Sequence, residues 1–153
     1  MFEKEEIEKI KKLVENFFKL IDPEITIMSL NFRQETIFLE VNSKEPKHLI
    51  GERGEILSDV QHLLKAMIKK KFKKDFYLDF DVNNYKKRKV EFLRQLAREL
   101  ADEVALTKKE KILPPMPAYE RRIIHLELAA RKDVTTESIG KEPERKVVIK
   151  PYP

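Results

Sequence analysis

Apolar residues recur every three or four positions at the start of the chain. Those that share one side of a helical projection between residues 4 and 21 are Ile7, Ile10, Val14, Phe17 and Ile21. Lys and Glu occupy the other side, so the pattern predicts an amphipathic helix over this segment. Asp22-Pro23 ends it, because the residue before a proline is pushed out of the α region.

A two-residue alternation then replaces the helical period. Residues 25–30 and 36–41 are predicted to be strands, and Ile37, Leu39 and Val41 mark the apolar side of the second. The short turn at residues 33–35 predicts an antiparallel hairpin. Phe76, Leu78, Phe80 and Val82 alternate with polar residues in a third predicted strand.

Two helices meet at a glycine-hinged turn between the second and third strands. A short helix begins near Glu45-Pro46, with proline in its first turn, and stops at Gly51. The next helix begins at or just after Gly54, and its predicted apolar positions are Ile56, Val60, Leu63 or Leu64, and Met67. Both glycines can adopt positive φ, so this turn presents amide groups and a helix N-terminus that can hold phosphate. A plain helix cap followed by a new helix is the alternative.

The second half repeats the mixture of helices and strands. Its predicted elements are a helix over 85–106, a short edge strand over 111–113, a helix over about 118–131, and strands over 134–139 and 145–149. Asn83-Asn84 marks the boundary without a long linker, which predicts two neighbouring domains, 1–82 and 83–153.

Charge is divided unevenly between these halves. Residues 1–82 hold 15 Lys and Arg against 16 Asp and Glu, a net charge of −1, whereas residues 83–153 hold 17 against 11, a net charge of +6. A basic domain beside a near-neutral one favours a polyanionic partner, although basic surfaces also serve solubility. The chain has no cysteine, its first residues are acidic, and its apolar runs are short, so we expect a cytosolic protein without stable membrane insertion.

Two charged clusters have competing interpretations. The helix before the third strand ends in five lysines, Lys69, Lys70, Lys71, Lys73 and Lys74. They are either a solvated helix end favoured by the dipole or a basic flank of a nucleic-acid groove. Asp79 and Asp81 share the outer face of the third strand, and we expect them to repel phosphate from that face. We expect no metal site there, because no histidine or third carboxylate accompanies them.

Arg121 and His125 lie four residues apart in the predicted helix over 118–131. They share a face and could grip one anion together, while Ile124 and Leu128 point inward. Taken alone, the Arg-x-x-x-His spacing equally fits an exposed arginine and a histidine with local hydrogen bonds. Downstream it is accompanied by Thr136-x-Ser138-x-Gly140-x-Glu142-Pro143-x-Arg145-x-Val147-Val148-Ile149-x-Pro151.

These motifs resemble two known modules in succession. The order α-β-β-α-turn-α-β around Leu49–Ile56 resembles the type II KH domain, whose G-x-x-G loop clamps single-stranded RNA. Residues 85–151 resemble the single-stranded nucleic-acid-binding domain named for its Arg-x-x-x-His signature. Together they resemble the bacterial Jag family, also called KhpB or SpoIIIJ-associated proteins. The implied fold is α+β: a three-stranded sheet with helices on one face, followed by a small α-β-α-β-β domain.

The resemblance implies roles for individual residues. Gly51, Glu52, Arg53 and Gly54 would face the RNA backbone, and Arg121 and His125 would contact phosphate or base with help from Arg122 and Arg145. The family's loop positions are usually basic, so the carboxylate of Glu52 is a departure that must point away from phosphate or weaken binding. Many family members also have an additional N-terminal domain and linker, which we expect this chain to lack.

Three classes of function remain to be compared. The leading expectation is a cytoplasmic, non-enzymatic protein that binds single-stranded RNA, with single-stranded DNA as a second ligand, acting as a post-transcriptional regulator or RNA chaperone. The alternative is an interaction adaptor that pairs with a small KH-domain protein or a membrane-protein tail. An enzyme is disfavoured because His48, His62 and His125 have no nucleophile or carboxylate at a diagnostic spacing. We expect no cofactor and no metal.

Overall fold

A computed structural model describes all of residues 1–153. The chain folds into two compact units, Met1–Lys86 and Lys87–Pro153. Each unit combines helices with a three-stranded sheet, which confirms the predicted α+β class.

The first unit follows the predicted order of elements. They are α1 (Lys4–Ile21), β1 (Thr26–Arg33), β2 (Thr36–Asn42), α2 (Pro46–Ile50), a 3-10 turn (Glu52–Gly54), α3 (Glu55–Phe72) and β3 (Tyr77–Val82). The sheet order is β1-β2-β3, with β1 and β2 antiparallel and β2 and β3 parallel. The predicted hairpin is therefore confirmed.

Both long helices pack on one face of this sheet, but with a different stripe from the one predicted. The core residues contributed by the helices are Ile10, Val14, Phe18, Leu57, Leu64 and Ile68. The predictions of Phe17, Ile21, Ile56 and Leu63 as the central inward residues were wrong: Ile21, Ile56 and Leu63 are exposed and Phe17 is half-buried. Each helix carries two adjacent apolar stripes, and only one of them faces the strands.

The strands supply the other half of this core from alternate positions. Ile37, Leu39 and Val41 of β2 face the same side as Leu78, Phe80 and Val82 of β3, and all six are buried. The intervening residues therefore lie on the opposite, open face of the sheet. Phe18 of α1 stacks on Phe80 with 5.7 Å between the ring centroids, which joins helix and sheet.

The second unit is built from a long helix, a second helix and an antiparallel sheet. Its elements are α4 (Tyr85–Thr107, whose first two residues belong to the first unit), β4 (Lys111–Ile112), α5 (Ala118–Leu128), β5 (Val134–Ile139) and β6 (Lys146–Pro151). The sheet order β4-β6-β5 makes β4 an edge strand, as predicted. Helix α5 ends three residues before the predicted Arg131, and β6 extends past the predicted Ile149.

The two helices of the second unit cover one face of its sheet. Leu93, Ala97, Ala101 and Val104 of α4 are buried together with Ile124 and Leu128 of α5 and with Val134, Val147 and Ile149 of the strands. This packing turns the remaining faces of α5 and β5 toward each other at one edge of the unit, where Arg121 and His125 lie. None of the helices in either unit combines the length and the apolar character needed to cross a bilayer.

Candidate nucleic-acid interface

The G-x-x-G turn connects α2 to α3 through a backbone that only glycine adopts readily. Gly51 has φ 73° and ψ 179°, and Gly54 is left-handed at φ 76° and ψ 19°. Arg53 between them is also left-handed at φ 56°. The turn is tightened by the Gly54 N–H, which donates to the Gly51 carbonyl at 3.3 Å.

Local packing makes Gly51 the more restrictive of the two glycines. A Cβ atom at Gly51 would lie 2.6 Å from Cγ1 of Ile56 and 3.0 Å from its backbone nitrogen. A Cβ atom at Gly54 would lie 3.2 Å from Cε1 of Tyr85, a milder crowding. The turn therefore needs glycine at 51 both for its φ and for space.

The turn is open to solvent and directs a helix N-terminus outward. Glu52 and Arg53 are exposed, and Gly51 and Gly54 are half-buried. Helix α3 starts at Glu55, so the N–H groups of its first turn and the positive end of its dipole lie at the same spot. A phosphate could accept hydrogen bonds from these amides.

Side-chain charge around the turn is balanced rather than basic. Lys44, Lys47 and Arg53 stand against Glu45, Glu52 and Glu55. His48 is held to Glu45 at 3.0 Å, which uses one of these carboxylates internally. Phosphate binding at this turn therefore depends on main-chain amides more than on net charge, with the exposed Glu52 carboxylate opposing it.

The lysines at the end of α3 differ in their surroundings. Lys69 is paired with Asp75 at 2.8 Å, and Lys74 with Glu6 at 2.7 Å. Lys70, Lys71 and Lys73 are exposed. The cluster lies at the opposite end of an 18-residue helix from the glycine turn, roughly 27 Å away along its axis. It does not flank that turn directly.

Arg121 in α5 is a buried, paired arginine rather than an exposed one. Only 7% of the residue is exposed, and its Nε donates to the Met116 carbonyl at 3.1 Å. Its terminal nitrogen forms an ion pair with Glu142, whose side chain is 58% exposed. The guanidinium is therefore fixed in position by the chain, and its anion partner lies at the surface.

His125 lies one helical turn after Arg121 and contacts the neighbouring strand. Its Nδ1 is 2.7 Å from Oγ1 of Thr136, and its Nε2 is 2.8 Å from Oγ of Ser138. Both ring nitrogens are thus engaged by hydroxyls from alternate positions of β5. Burial lowers the pKa of His125 below its ordinary value, and the charges of Arg121 and Arg145 lower the pKa further. The imidazole is neutral at pH 7.

The remaining two predicted arginines differ in how tightly they are held. Arg145 is half-buried and donates from its guanidinium to the Gly140 carbonyl at 2.7 Å. Arg122 is exposed on the other side of α5 from the buried Ile124. Arg121, His125 and Arg145 therefore occur in one region of the second unit, since the charges of both arginines influence His125.

The partners of this cluster were not among the predicted site residues. Thr136 and Ser138 engage His125, and Glu142 engages Arg121. The signal that could have found the first pair is an i, i+2 placement of hydroxyls on a strand beside the helix. The acid in the turn after β5 has no such periodic signal.

Comparison with known proteins agrees with this division of the chain. Residues 91–151 match the family model of the Arg-x-x-x-His domain. An RNA-binding protein KhpB of Clostridium symbiosum is 35% identical over 144 residues, which cover 93% of this chain and 64% of that protein. The KhpB proteins of Lactiplantibacillus plantarum and Bacillus subtilis are 33% and 34% identical, over 80% and 76% of this chain.

These relatives are longer than the present sequence. The chain spans 64%, 38% and 57% of the length of the three, so the comparison concerns a part of each. The match to the Arg-x-x-x-His domain coincides with the unit that holds Arg121 and His125. Taken together, this domain and the KhpB relatives support assignment of the chain to the KhpB, or Jag, family.

Proposed function

We propose that this protein binds single-stranded RNA through a type II KH domain over residues 1–82 and an Arg-x-x-x-His domain over residues 83–153. The observation that carries the proposal is the open glycine turn at residues 51–54, which projects at the N-terminus of α3. The relatives are named RNA-binding proteins, which supports the same ligand class. Single-stranded DNA, which offers the same phosphates, is the second ligand.

The architecture of the first unit supports the KH part of this proposal. Its elements follow the order α-β-β-α-α-β, and the helices pack on one face of a three-stranded sheet with the G-x-x-G turn between the second and third helices. In a KH domain such a loop clamps about four nucleotides through their backbone. Main-chain amides contact phosphate without reading sequence, so we expect base preference to come from neighbouring side chains.

The second unit contributes a prepared cation site. Arg121 is held rigid by the Met116 carbonyl and faces an anion, the exposed carboxylate of Glu142. A phosphate group can occupy a position of this kind by displacing that carboxylate. Arg122, exposed and adjacent, adds charge to the surface, while His125 in its neutral form serves as a hydrogen-bonding group.

The cellular role follows from this activity. We place the protein in the cytoplasm as a post-transcriptional regulator or RNA chaperone without enzymatic activity, cofactor or metal. A protein that contacts phosphates of an unpaired strand can hold RNA open for other partners. It needs no reacting group to do so.

Salt-dependent RNA binding tests the proposal directly. The double variant Arg53→Gln/Arg122→Gln should weaken binding to a single-stranded RNA of about 12 nucleotides and lower the magnitude of the salt slope by about 0.7 for each lost contact. The matched control is Lys4→Gln/Lys19→Gln, which removes two exposed charges from the ends of α1. Equal affinities and slopes for both double variants would contradict the proposal.

A second candidate function is favoured by an apolar groove between α1 and α3. Leu13, Phe17, Leu20 and Met67 line it, and Leu20 is 89% exposed. Pairing with a small KH-domain protein, or docking of a membrane-protein tail, would cover these side chains. In that case Leu20→Asp should abolish complex formation in size-exclusion chromatography and leave RNA affinity unchanged.

A further inference from the structure

The open face of the first sheet carries two aromatic rings with neighbouring cations, Phe38 with Arg33 and Tyr77 with Lys65. We propose that this face stacks two bases of single-stranded RNA, as a binding site separate from the G-x-x-G turn. The inference rests on the proposed function, since it assigns a further contact surface for the same ligand. It revises the expectation that acidic residues exclude RNA from this face.

The strand register places both rings on the solvent side. Thr36 of β2 pairs with Tyr77 of β3, and Phe38 pairs with Asp79, so the two rings are diagonal neighbours on adjacent strands. Strand spacing and rise put their Cβ atoms roughly 8 Å apart. Tyr77 is 66% exposed and Phe38 is half-buried. Aromatic rings on a sheet surface are the platform on which RNA-binding domains stack successive bases.

Each ring lies beside a cation that phosphate or base can use. The guanidinium carbon of Arg33 is 5.4 Å from the Phe38 ring centroid, and Nζ of Lys65 is 5.6 Å from the Tyr77 ring centroid. Arg33 is exposed and makes no salt bridge, so its plane is accessible to a base. Aromatic rings interleaved with cations are the general composition of a single-strand binding groove.

The acidic residues of this face lie mainly toward its other end. Asp79 is paired with Nζ of Lys86 at 3.0 Å, and the carboxylate of Asp81 accepts the backbone N–H groups of Val82 and Lys86. Glu40, which pairs in register with Asp81, is exposed and lacks such a partner. A bound strand would therefore leave the face before reaching Glu40. The site is limited to about two bases.

A structural role for the exposed ring of Tyr77 is weak by comparison. Leu78 and Phe80 of the same strand supply its core contacts, whereas two thirds of Tyr77 is in water. A large exposed ring at the start of an edge strand contributes little to folding. Replacing it should therefore change RNA binding without unfolding the chain, which makes the proposal testable.

The test compares Tyr77→Leu, Tyr77→Phe and the control Tyr152→Leu, whose parent side chain is similarly exposed at 56%. Fluorescence anisotropy would measure their affinities for a labelled single-stranded RNA of about 12 nucleotides at several salt concentrations. We expect Tyr77→Leu to bind about five- to tenfold more weakly with an unchanged salt slope, because stacking releases no counterions. Tyr77→Phe, which keeps the ring, and Tyr152→Leu should bind like the wild type.

Thermal unfolding of the same variants separates loss of binding from loss of fold. If Tyr77→Leu is folded and binds like the wild type, the stacking site is wrong and the proposed function stands. If Tyr77→Phe is weakened as much as Tyr77→Leu, the hydroxyl and not the ring is responsible, and the site is again wrong. If the wild type itself does not bind the RNA, the proposed function fails and the inference fails with it.

Discussion

The guanidinium of Arg121 forms an ion pair with the carboxylate of Glu142, which lies 21 residues later in the chain. The arginine side chain is 9% exposed, whereas the glutamate side chain is 58% exposed. The cation is therefore built into the fold, and the anion that covers it is accessible from solvent. RNA that uses Arg121 must compete with Glu142, so this carboxylate sets how strongly the second unit binds.

Removing the competing carboxylate should strengthen RNA binding. We expect Glu142→Gln to raise affinity for single-stranded RNA on the order of tenfold, because the guanidinium becomes available and a like charge near phosphate is lost. Titration of a labelled RNA measures the effect. Glu144→Gln is the matched control, since it removes an exposed carboxylate from the same turn. Equal affinities for the two variants would show that Glu142 does not compete.

Arg121 should also matter for stability without any ligand. Arg121→Ala removes the Nε donor from the Met116 carbonyl and the partner from Glu142, so the free energy of unfolding should fall by about 1.5–3 kcal/mol. Chemical denaturation checks this value. Arg122→Ala, at the exposed neighbouring position, should change it by less than about 0.5 kcal/mol. An equal loss for both variants would contradict a specific structural role for Arg121.

The two glycines of the turn should respond unequally to substitution. Gly51→Ala places a Cβ atom 2.6 Å from Ile56 in a backbone region that other residues avoid, so we expect a loss of about 3 kcal/mol or more in unfolding free energy. Gly54→Ala is left-handed with a 3.2 Å contact to Tyr85, and about 1 kcal/mol should be lost. Denaturant titrations of both variants give the comparison. A greater loss at Gly54 would contradict this description of the turn.

Much of the fold could be predicted because its elements are strongly periodic. The alternation of Leu78, Phe80 and Val82 located the third strand, and Gly51 and Gly54 located the turn. The inward stripe of each helix could not be chosen from the pattern, because Leu57 and Ile56 both belong to apolar stripes. Which one packs on the sheet depends on how the helix lies across the strands, and local sequence does not contain that information.

The site was predicted less completely, for a physical reason of the same kind. Arg121 and His125 share a helix face, and that relationship is visible in their spacing. Their partners come from a strand and a turn 11 to 21 residues later, so only the tertiary fold brings them together. For the same reason, Asp79 and Asp81 suggested an acidic face, whereas the pairing register adds Phe38.

The environment of His125 predicts a specific pH dependence of stability. Burial, with Arg121 and Arg145, lowers the pKa of His125 in the folded chain, so the unfolded chain binds more protons between that pKa and about 6.5. The free energy of unfolding should therefore decrease as pH falls through this window and level off below the folded pKa. His125→Gln should lose this component.

Denaturation of wild type and His125→Gln between about pH 8 and pH 5 measures the difference between their profiles. Other titrating groups, such as the half-buried carboxyl of Asp81, contribute equally to both proteins and cancel. The advantage of the wild type should shrink toward acid pH. Parallel profiles would show that His125 is not perturbed.

Contact of single-stranded RNA with both the glycine turn and the Arg121–His125 region is the central claim. The most direct measurement is an NMR titration of the ¹⁵N-labelled chain with such an RNA, following backbone amides across the two units. We predict that the amides of residues 51–57 and of Thr136, Ser138 and Glu142 shift together as RNA is added. Titration without shifts in either region, or shifts confined to segments remote from both, would contradict the account.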